Sequence, residues 1–321
     1  MLSLSYMSDR DTPIHVATSP QDQWIKIIAT TGNIRGVAIQ AGTLVQSLCE
    51  LHQVNGNAAQ GFGEAIMGAL LISSYCKSGE RVNLNIQGSG YIRQALVDAY
   101  PDGSVRGYVS ARTEEPDLST AEGEPIGPWG AGMLSVLRTK EGQAQPYIGT
   151  VPLVTGHLAK DLTFYWAQSE QVPSAVGLAV NFENGKVVNA GGFLIQALPG
   201  ASPVEVAAIE RHINDLESLA SQIAKNADPL LLLSHIFQSM AFVIIEKKAL
   251  SFKCQCSWER VQRALALVGV SELQAMLKED NKAVVRCDFC TKEYEVGSEE
   301  LQEMIDDAAG PGSRDPNSTL N

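Results

Sequence analysis

The sequence predicts a mixed α/β (α+β) fold: an N-terminal domain with sheet and helices, a helical linker, and a small C-terminal zinc-binding domain. Three patterns lead to this prediction. Alternating apolar segments and hairpin turns fill residues 21–199, helical periodicity follows in residues 200–250, and two cysteine pairs occur within residues 251–309. At 321 residues, of which 45% are apolar, the chain is long enough for about two domains.

The composition excludes several classes of protein. The chain carries 24 basic and 36 acidic residues, a formal charge of −12, so we expect neither nucleic acid nor an acidic membrane as a partner. Six cysteines are too few for a secreted disulfide scaffold, and the polar start does not resemble a signal or transit peptide. The longest uncharged apolar run, residues 229–245, is short for a membrane span and contains polar side chains. We therefore expect a cytoplasmic protein.

The N-terminal domain is preceded by a polar segment, residues 1–20, that we expect to be loosely held. Ile34–Ala41 has a strand-like composition, and Val82–Ile86 alternates strictly between apolar and polar residues, so both segments are predicted strands. Two turns whose glycine tolerates a positive φ predict β-hairpins: Pro101–Gly103 and Glu183–Gly185.

Two helices are predicted among these strands. The first opens at a capping box of Asn57 and Gln60 and continues through Ile72. The second covers residues 157–168. Hairpins combined with helices favour a mixed α/β domain that ends near residue 199.

The linker is predicted to be helical throughout. Ser202 provides an N-cap ahead of a proline, and an apolar stripe continues to Ile223, with Asn226 at the expected C-terminal end. A second helix is predicted from residue 229 to about Lys248, where two lysines would face the negative end of the helix dipole. Because this second helix is apolar on nearly all sides, other parts of the protein must cover it. It is either an ordinary buried helix or apolar surface that a switch can expose.

Four of the six cysteines form two close pairs: a Cys-x-Cys at Cys254 and Cys256, and a Cys-x-x-Cys at Cys287 and Cys290, separated by 30 residues. Two such pairs can supply a tetrahedral four-thiolate site for Zn²⁺, and a reducing cytosol favours metal binding over structural disulfides. A four-thiolate site has no open coordination position, so a hydrolytic role for the metal is not expected. The chain also lacks nucleotide-binding and nucleophile-elbow motifs, and we do not predict an enzyme.

The segments around these pairs predict a compact module. A helix from about Trp258 ends at Gly269, and a capping box of Ser271 and Gln274 opens the next helix. Short strands on either side of the second pair are predicted at residues 284–286 and 294–296. Residues 310–321 have the composition of a disordered tail.

The remaining cysteines, Cys49 and Cys76, lie in apolar surroundings and are predicted to be buried, inert thiols. Three cations lie near the cysteine pairs in sequence: Lys253, Arg286 and Lys292. They either promote the reactivity of the neighbouring sulfurs or form a solvated face, and the sequence favours neither alternative.

Several segments are similar to motifs of a known family. Two contain the cysteines: Phe-Lys-Cys-Gln-Cys-Ser-Trp-Glu-Arg at 252–260 and Cys-Asp-Phe-Cys-Thr-Lys-Glu-Tyr at 287–294. The others lie upstream, at residues 87–90, 105–108, 130–134, 165–171 and 190–196. From about Trp24 to Met304, the chain resembles the redox-regulated 33-kilodalton heat-shock chaperone family of bacteria and plastids. It departs from that pattern in a longer polar N-terminus and a short tail.

The resemblance implies an ATP-independent holdase chaperone. In the reduced, inactive state Cys254, Cys256, Cys287 and Cys290 would ligate one zinc ion. Oxidation would release the zinc, form the disulfides Cys254–Cys256 and Cys287–Cys290, and unfold the switch domain together with a metastable linker. The exposed apolar surface would bind unfolding client proteins and prevent their aggregation under oxidative stress. The resemblance also implies that oxidised chains can form a homodimer.

A comparison of energies supports such a switch. Zinc in a four-cysteine finger contributes about 10–16 kcal/mol of apparent folding free energy. Two local disulfides would restore only ~3.5 kcal/mol in the chain-entropy model, whereas each bridge between the two pairs would contribute ~3.7 kcal/mol. Four cysteines allow three connectivities, and the residues alone do not choose among them.

Two other functions fit part of the sequence. A zinc ribbon that binds nucleic acid would also contain tight cysteine pairs, but the overall charge and the acidic stretch Glu293–Asp307 speak against it. A thiol oxidoreductase could use Cys287 and Cys290, although such motifs usually open a helix in a βαβ unit.

Overall fold

The structure is a computed structural model and describes residues 10, 12–113, 127–140, 142, 146–238 and 240–309. The chain forms two compact units. Among the described residues, the first unit runs from His15 to Lys253, and the second contains residues 254–309 together with residues 10 and 12–14. The predicted tail, residues 310–321, lies outside the described residues.

The first unit contains most of the secondary structure. Its strands are β1 (Gln23–Ala29), β2 (Ile34–Gln40), β3 (Glu80–Gly88), β4 (Ile92–Ala99), β5 (Ser104–Ala111), β6 (Gly132–Lys140), β7 (Tyr147–Leu153), β8 (Ser174–Glu183), β9 (Lys186–Ala197), β10 (Phe242–Ala249) and β11 (Ser251–Phe252). Its helices are α1 (Gly42–Leu51), α2 (Gly56–Ser73), α3 (Leu158–Gln168), α4 (Pro203–Asp215), α5 (Leu219–Lys225) and α6 (Pro229–Phe237). Among the described residues, no helix has both the length and the apolar character that crossing a membrane requires. The predicted combination of sheet and helices is confirmed.

Two sheets enclose the main core of the first unit. One has the strand order β10-β1-β2-β9-β8 and the other β11-β5-β4-β3-β6-β7. Helix α2 contacts strands of both sheets, and most of its side chains from Ala58 to Ser73 are buried. Glycines permit this close packing, since a Cβ on Gly61 would lie 2.1 Å from the Ile92 side chain. The helix that is enclosed on all sides is therefore α2.

The predictions for residues 21–199 are largely confirmed. The predicted strands correspond to β2 and β3, the predicted turns connect β4 to β5 and β8 to β9, and the predicted helices correspond to α2 and α3. Gly103 and Gly185 have φ values of 86° and 77°, as these turns require. The capping box is wrong, because α2 has its N-cap at Asn55 and Asn57 already lies inside the helix.

The first linker helix is split in two. Helix α4 ends where Leu216 adopts an extended backbone, with ψ of 132°. Helix α5 begins at a new N-cap, Ser218, whose hydroxyl accepts a hydrogen bond from the backbone N–H of Ser221. The predicted end at Asn226 is confirmed as the C-cap of α5. After the break, α5 packs on β8 and β9, while α4 packs on α6.

The prediction of a second linker helix from residue 229 to Lys248 is wrong. Helix α6 ends at Phe237, and the following segment forms β10 at the edge of the sheet, antiparallel to β1. Three β-branched residues at 243–245 favour an extended backbone, and β1, near the start of the chain, provides their hydrogen-bonding partner. Lys247 and Lys248 consequently lie in a strand and not at the end of a helix.

The linker segment builds a second core against the sheet face opposite α2. The buried side chains of this core include Ile25, Ile195, Leu233 and Phe237. His212 Nδ1 lies 3.0 Å from the backbone oxygen of Ile236 and connects α4 to α6. On β10, Glu246 forms an ion pair with Lys26 and accepts a hydrogen bond from the Trp24 indole at 3.3 Å. Residues 200–250 therefore cover one face and one edge of the five-stranded sheet.

The second unit contains α7 (Trp258–Val268), α8 (Val270–Glu279), β12 (Lys282–Arg286), β13 (Glu293–Gly297) and α9 (Ser298–Ala309). The predicted helices and strands are present, and Gly269, with φ of 99°, separates α7 from α8 as expected. The Ser271 capping box does not form, because the N-cap of α8 is Gly269 itself. Helix α9 was not predicted, although Leu301 and Ile305, both buried, have the spacing of one helix face.

Candidate metal centre

The two cysteine pairs come together within the second unit. Cys254 and Cys256 lie in the segment just before α7, and Cys287 and Cys290 lie in the turn between β12 and β13. All four sulfur atoms lie within 4.8 Å of one another. Two close approaches join different pairs: 3.7 Å from Cys254 to Cys287 and 3.4 Å from Cys256 to Cys290. Residues 33 and 34 positions apart in sequence thus form one cluster.

The hairpin turn fixes the second pair. The backbone N–H of Cys287 donates to the Lys292 oxygen at 2.9 Å, and the N–H of Thr291 donates to the Cys287 oxygen at 2.8 Å. Thr291 has a φ of 59°, a left-handed conformation that is unfavourable for a β-branched residue. The turn is therefore closed at some conformational cost, and it directs both sulfurs to the same side.

The sulfur atoms strongly influence one another's protonation. Hydrogen bonds from the thiols of Cys287 and Cys290 hold the pKa of Cys254 well below its usual range. Because Cys287 donates its proton to the hydrogen bond with Cys254, its own pKa is raised to about 11. The pKa of Cys290 is also raised, by hydrogen bonds to Cys254 and Cys287. The thiols of Cys287 and Cys290 therefore stabilise a thiolate at Cys254 and retain their own protons.

The donor set fits a tetrahedral metal ion. Ligands bound at about 2.3 Å, the usual Zn–S distance, stand about 3.8 Å apart in a regular tetrahedron. The separations of 3.7 and 3.4 Å are close to that value and far longer than the roughly 2.05 Å of a disulfide bond. All four cysteines are accordingly free thiols in this structure. They could hold a metal ion, and four soft sulfur donors suit Zn²⁺ well.

A neighbouring tyrosine contacts the cluster, and sequence reasoning missed it. The Tyr294 hydroxyl donates a hydrogen bond to the Cys256 sulfur at 3.2 Å, and the residue is only 2% exposed. The Tyr294 ring stacks on Trp258, with 6.5 Å between ring centroids. The sequence placed Tyr294 in a short strand but gave no indication of which side chain it would reach.

The environment of this cluster argues against a thiol oxidoreductase arrangement, because Cys287 and Cys290 lie between two strands and not at the start of a helix. Of the nearby cations, Lys292 donates from Nζ to the backbone oxygens of Arg10 and Thr12, at 2.8 and 2.7 Å. Its charge is thus directed to the N-terminal segment.

The two other cysteines lie in the first unit. Cys49 is buried in α1, and burial raises its pKa to about 12. Cys76 is partly buried, and its pKa is raised to about 11, mainly by desolvation. The predicted burial is thus confirmed for Cys49, whereas Cys76 is only partly buried. Protonated thiols are poor nucleophiles, and the inertness of both stays a prediction.

Comparisons with known proteins agree with the resemblance seen in the sequence. A sequence model described as Hsp33 protein matches residues 22–297. The 33 kDa chaperonin of Geobacter sulfurreducens is 37% identical over 289 residues, covering 89% of this chain and 95% of the relative. That of Trichodesmium erythraeum is 36% identical over 307 residues, covering 92% of this chain and 96% of the relative.

The fold agrees as well as the sequence does. The crystal structure of the 33 kDa chaperonin from Thermotoga maritima matches with a TM-score of 0.79 and 31% sequence identity, and the match covers 88% of this chain and 98% of that chain. Because both kinds of similarity extend over most of the chain, the protein belongs to the Hsp33 family of chaperones.

Proposed function

We propose that this protein is a redox-regulated, ATP-independent holdase chaperone of the cytoplasm. In this proposal Cys254, Cys256, Cys287 and Cys290 bind one zinc ion in the reduced, inactive state. The observation that carries the proposal is the position of all four sulfurs within 4.8 Å of one another, in a unit with few other sources of stability. A bound zinc ion would cross-link the module. Four-thiolate sites are structural, because they leave no coordination position open.

The small core of the second unit explains why losing the metal would matter. Eight described apolar residues of this unit are buried together, among them Leu273 and Tyr294. A module of this size is close to the limit at which a core alone suffices. Removing a contribution of about 10–16 kcal/mol would then leave the unit unfolded.

Oxidation would convert the four thiolates into two disulfides. Each disulfide forms when two sulfurs give up two electrons to an oxidant such as hydrogen peroxide, which takes up two protons and leaves as two water molecules. We propose the local pairing, Cys254 with Cys256 and Cys287 with Cys290. Loops this short restore only ~3.5 kcal/mol together in the chain-entropy model, much less than the metal contributes.

Which cysteines pair on oxidation decides whether the module would unfold. The contacts of 3.7 and 3.4 Å join cysteines of different pairs, so bridges between the pairs are also within geometric reach. Such bridges would staple α7 to the β12–β13 hairpin and keep the module compact. Peptide mapping of the oxidised protein under non-reducing conditions distinguishes the two connectivities, and bridges between the pairs would contradict the proposal.

We propose that unfolding of the switch module spreads to the linker. The chain runs from β10 through β11 directly into Cys254, so the linker segment and the module are joined by a short stretch of chain. If α4, α5 and α6 detach, the sheet loses the cover over Ile25 and Ile195, and the side chains of Leu233 and Phe237 become exposed. An apolar surface of this kind is suited to binding unfolding client proteins. The formal charge of −12 would help to keep the opened protein soluble.

The test combines zinc release with a chaperone assay. Reduced protein should contain one zinc ion and fail to suppress the aggregation of a thermally unfolding client enzyme, whereas peroxide-treated protein should release the zinc and suppress aggregation. Cys287→Ser should lose tight zinc binding, and Cys76→Ser, a matched change in the first unit, should not. The proposal is contradicted if Cys287→Ser retains zinc, or if oxidised protein releases zinc without gaining holdase activity.

Hydrogen exchange tests the spread to the linker. Oxidation should remove amide protection from residues 203–248 as well as from the cysteine module, and β2 and β9 should keep theirs. If the amide protection of residues 203–248 does not change, the linker does not open on oxidation and cannot be the source of the client-binding surface.

A further inference from the structure

Arg10 and Thr12 belong to the segment that the sequence predicts to be loosely held, but both contact the cysteine module, so for these two residues the prediction is wrong. The Arg10 guanidinium forms a two-point ion pair with Glu300 on α9, at 2.6 and 3.1 Å, and donates to the backbone oxygen of Glu295 on β13 at 2.8 Å. Its central carbon lies 4.0 Å from the centre of the Trp258 ring on α7. One side chain, only 16% exposed, therefore joins three elements of the module.

A second residue holds the backbone of the same segment. Lys292, two positions after Cys290, donates from Nζ to the Arg10 and Thr12 oxygens at 2.8 and 2.7 Å. The Lys292 ammonium also lies 5.2 Å from the centre of the Tyr294 ring. Arg10 is thus held through its side chain, and Arg10 and Thr12 are both held through their backbone oxygens.

Three successive contacts connect Arg10 to the sulfur cluster. Arg10 stacks on Trp258, Trp258 stacks on Tyr294 at 6.5 Å, and the Tyr294 hydroxyl donates to the Cys256 sulfur at 3.2 Å. A hydrogen bond to a ligand sulfur orients it and withdraws electron density from it. The loss of electron density makes the sulfur a slower nucleophile towards an oxidant. The fixed orientation makes it a better-placed metal ligand.

We propose that Arg10 and Thr12 form a latch on the cysteine module, which slows metal loss and oxidation by holding Trp258 and Tyr294 against Cys256. The proposal rests on the proposed zinc-dependent switch and concerns its sensitivity. Arg10 and Thr12 precede residue 22, where the match to the family model begins. The latch therefore lies outside the residues that the family model matches, and it sets how fast the switch responds to an oxidant.

The experiment measures the half-time of zinc release from full-length, zinc-loaded protein, once with excess chelator and once with hydrogen peroxide. Arg10→Ala should shorten both half-times by about tenfold, the effect expected when a charge-assisted pair and a cation–π contact are lost together. Tyr294→Phe should give a smaller acceleration. The matched control is Arg263→Ala on α7, which makes the same change of charge at an exposed position and should leave the half-times unchanged.

A double-variant cycle separates the latch from a general loss of stability. If Arg10 acts through Tyr294, the double variant Arg10→Ala/Tyr294→Phe should release zinc little faster than Arg10→Ala alone. Fully multiplicative effects, or an Arg10→Ala half-time within twofold of the Arg263→Ala control, would overturn the latch. If Arg10→Ala fails to fold, Glu300→Gln removes the same ion pair from the other side and should shorten the half-times in the same direction. Wild-type protein that binds no zinc would contradict the proposed function and not the latch.

Discussion

The two units of this chain are built from the same kinds of element but differ greatly in their cores. Among the described residues, the main core of the first unit buries 38 apolar side chains around α2, and the linker adds a second core of 13. The second unit buries eight. The first unit has a large apolar core, whereas the second has a small one and, under the proposed function, would depend on the metal ion that cross-links its four cysteines. Under the proposed function, the redox switch lies in the unit with the smallest apolar core.

The linker is intermediate between the two units in the extent of its packing. It belongs to the first unit and has its own core, but it covers only one face and one edge of a sheet that is also packed from the other side by α2. The sheet can therefore persist when the linker leaves. In this arrangement the linker could detach and expose the sheet face that it covers, while the sheet itself stays folded.

The largest expected effect comes from removing the metal from reduced protein with a chelator. The second unit should unfold, with an apparent loss of about 10 kcal/mol, because its core cannot replace the four metal–sulfur bonds. Hydrogen exchange should show lost protection in α8, β12 and β13, while β1 and β2 remain protected as an internal control. A metal-free second unit with full protection would show that its core suffices and would remove the contrast between the units.

A core substitution in the linker should come next. Phe237 is fully buried and packs edge-to-face on Phe242 at 5.8 Å, so Phe237→Ala should cost about 3–5 kcal/mol. The loss should concentrate in α4–α6, as measured by hydrogen exchange, and reduced protein should gain some holdase activity. Leu231→Ala on the same helix is the control, because Leu231 is 41% exposed. Equal effects of the two substitutions would mean that the second core does not hold the linker.

A buried acid makes the stability of the first unit dependent on pH. Burial raises the pKa of Glu64 on α2 to about 7, and a hydrogen bond from Gln60 at 3.0 Å offsets only part of this shift. Because the folded carboxyl holds its proton longer than the unfolded one, the free energy of unfolding should fall as pH rises from about 4.5 to about 7. Glu64→Gln should abolish this fall and stabilise the protein at pH 8 by up to about 3 kcal/mol.

Urea unfolding at pH 5 and pH 8 measures this effect, with the fluorescence of Trp24 and Trp129, both fully buried in the first unit, as the signal. The exposed Glu50→Gln on α1 is the control and should behave as the wild-type protein does. If the free energy of unfolding changes between pH 5 and pH 8 by the same amount in the wild type and in Glu64→Gln, the role of Glu64 is contradicted.

The smallest effect is expected in the turn of the second cysteine pair. Thr291→Gly should stabilise the second unit by about 1 kcal/mol and lengthen the half-time of zinc release, because glycine adopts a φ of 59° without the penalty of a β-branched side chain. Asn281→Gly, at a φ of 57°, is a matched control with a smaller gain, since asparagine tolerates this conformation. Faster release from Thr291→Gly would show that the threonine side chain stabilises the turn.

Patterns between near neighbours in the chain predicted much of the fold correctly. The alternation in β3, the glycine turns before β5 and β9, and the break at Gly269 all depend on a few adjacent residues, and all are present. The predictions that were wrong depended on distant partners. The segment after Phe237 has the composition of a buried helix, and only pairing with β1 makes it a strand.

The amino-acid sequence by itself determined the family and singled out the four cysteines that the structure brings together, because spacing and donor chemistry are properties of short segments. Only the tertiary structure decided that the linker covers a sheet face, that Tyr294 reaches Cys256, and that Arg10 lies against Trp258. Each of these contacts joins residues that are distant in sequence or whose side-chain direction is set by packing. The energy that selects them is available only once the chain has folded, and no local pattern records it.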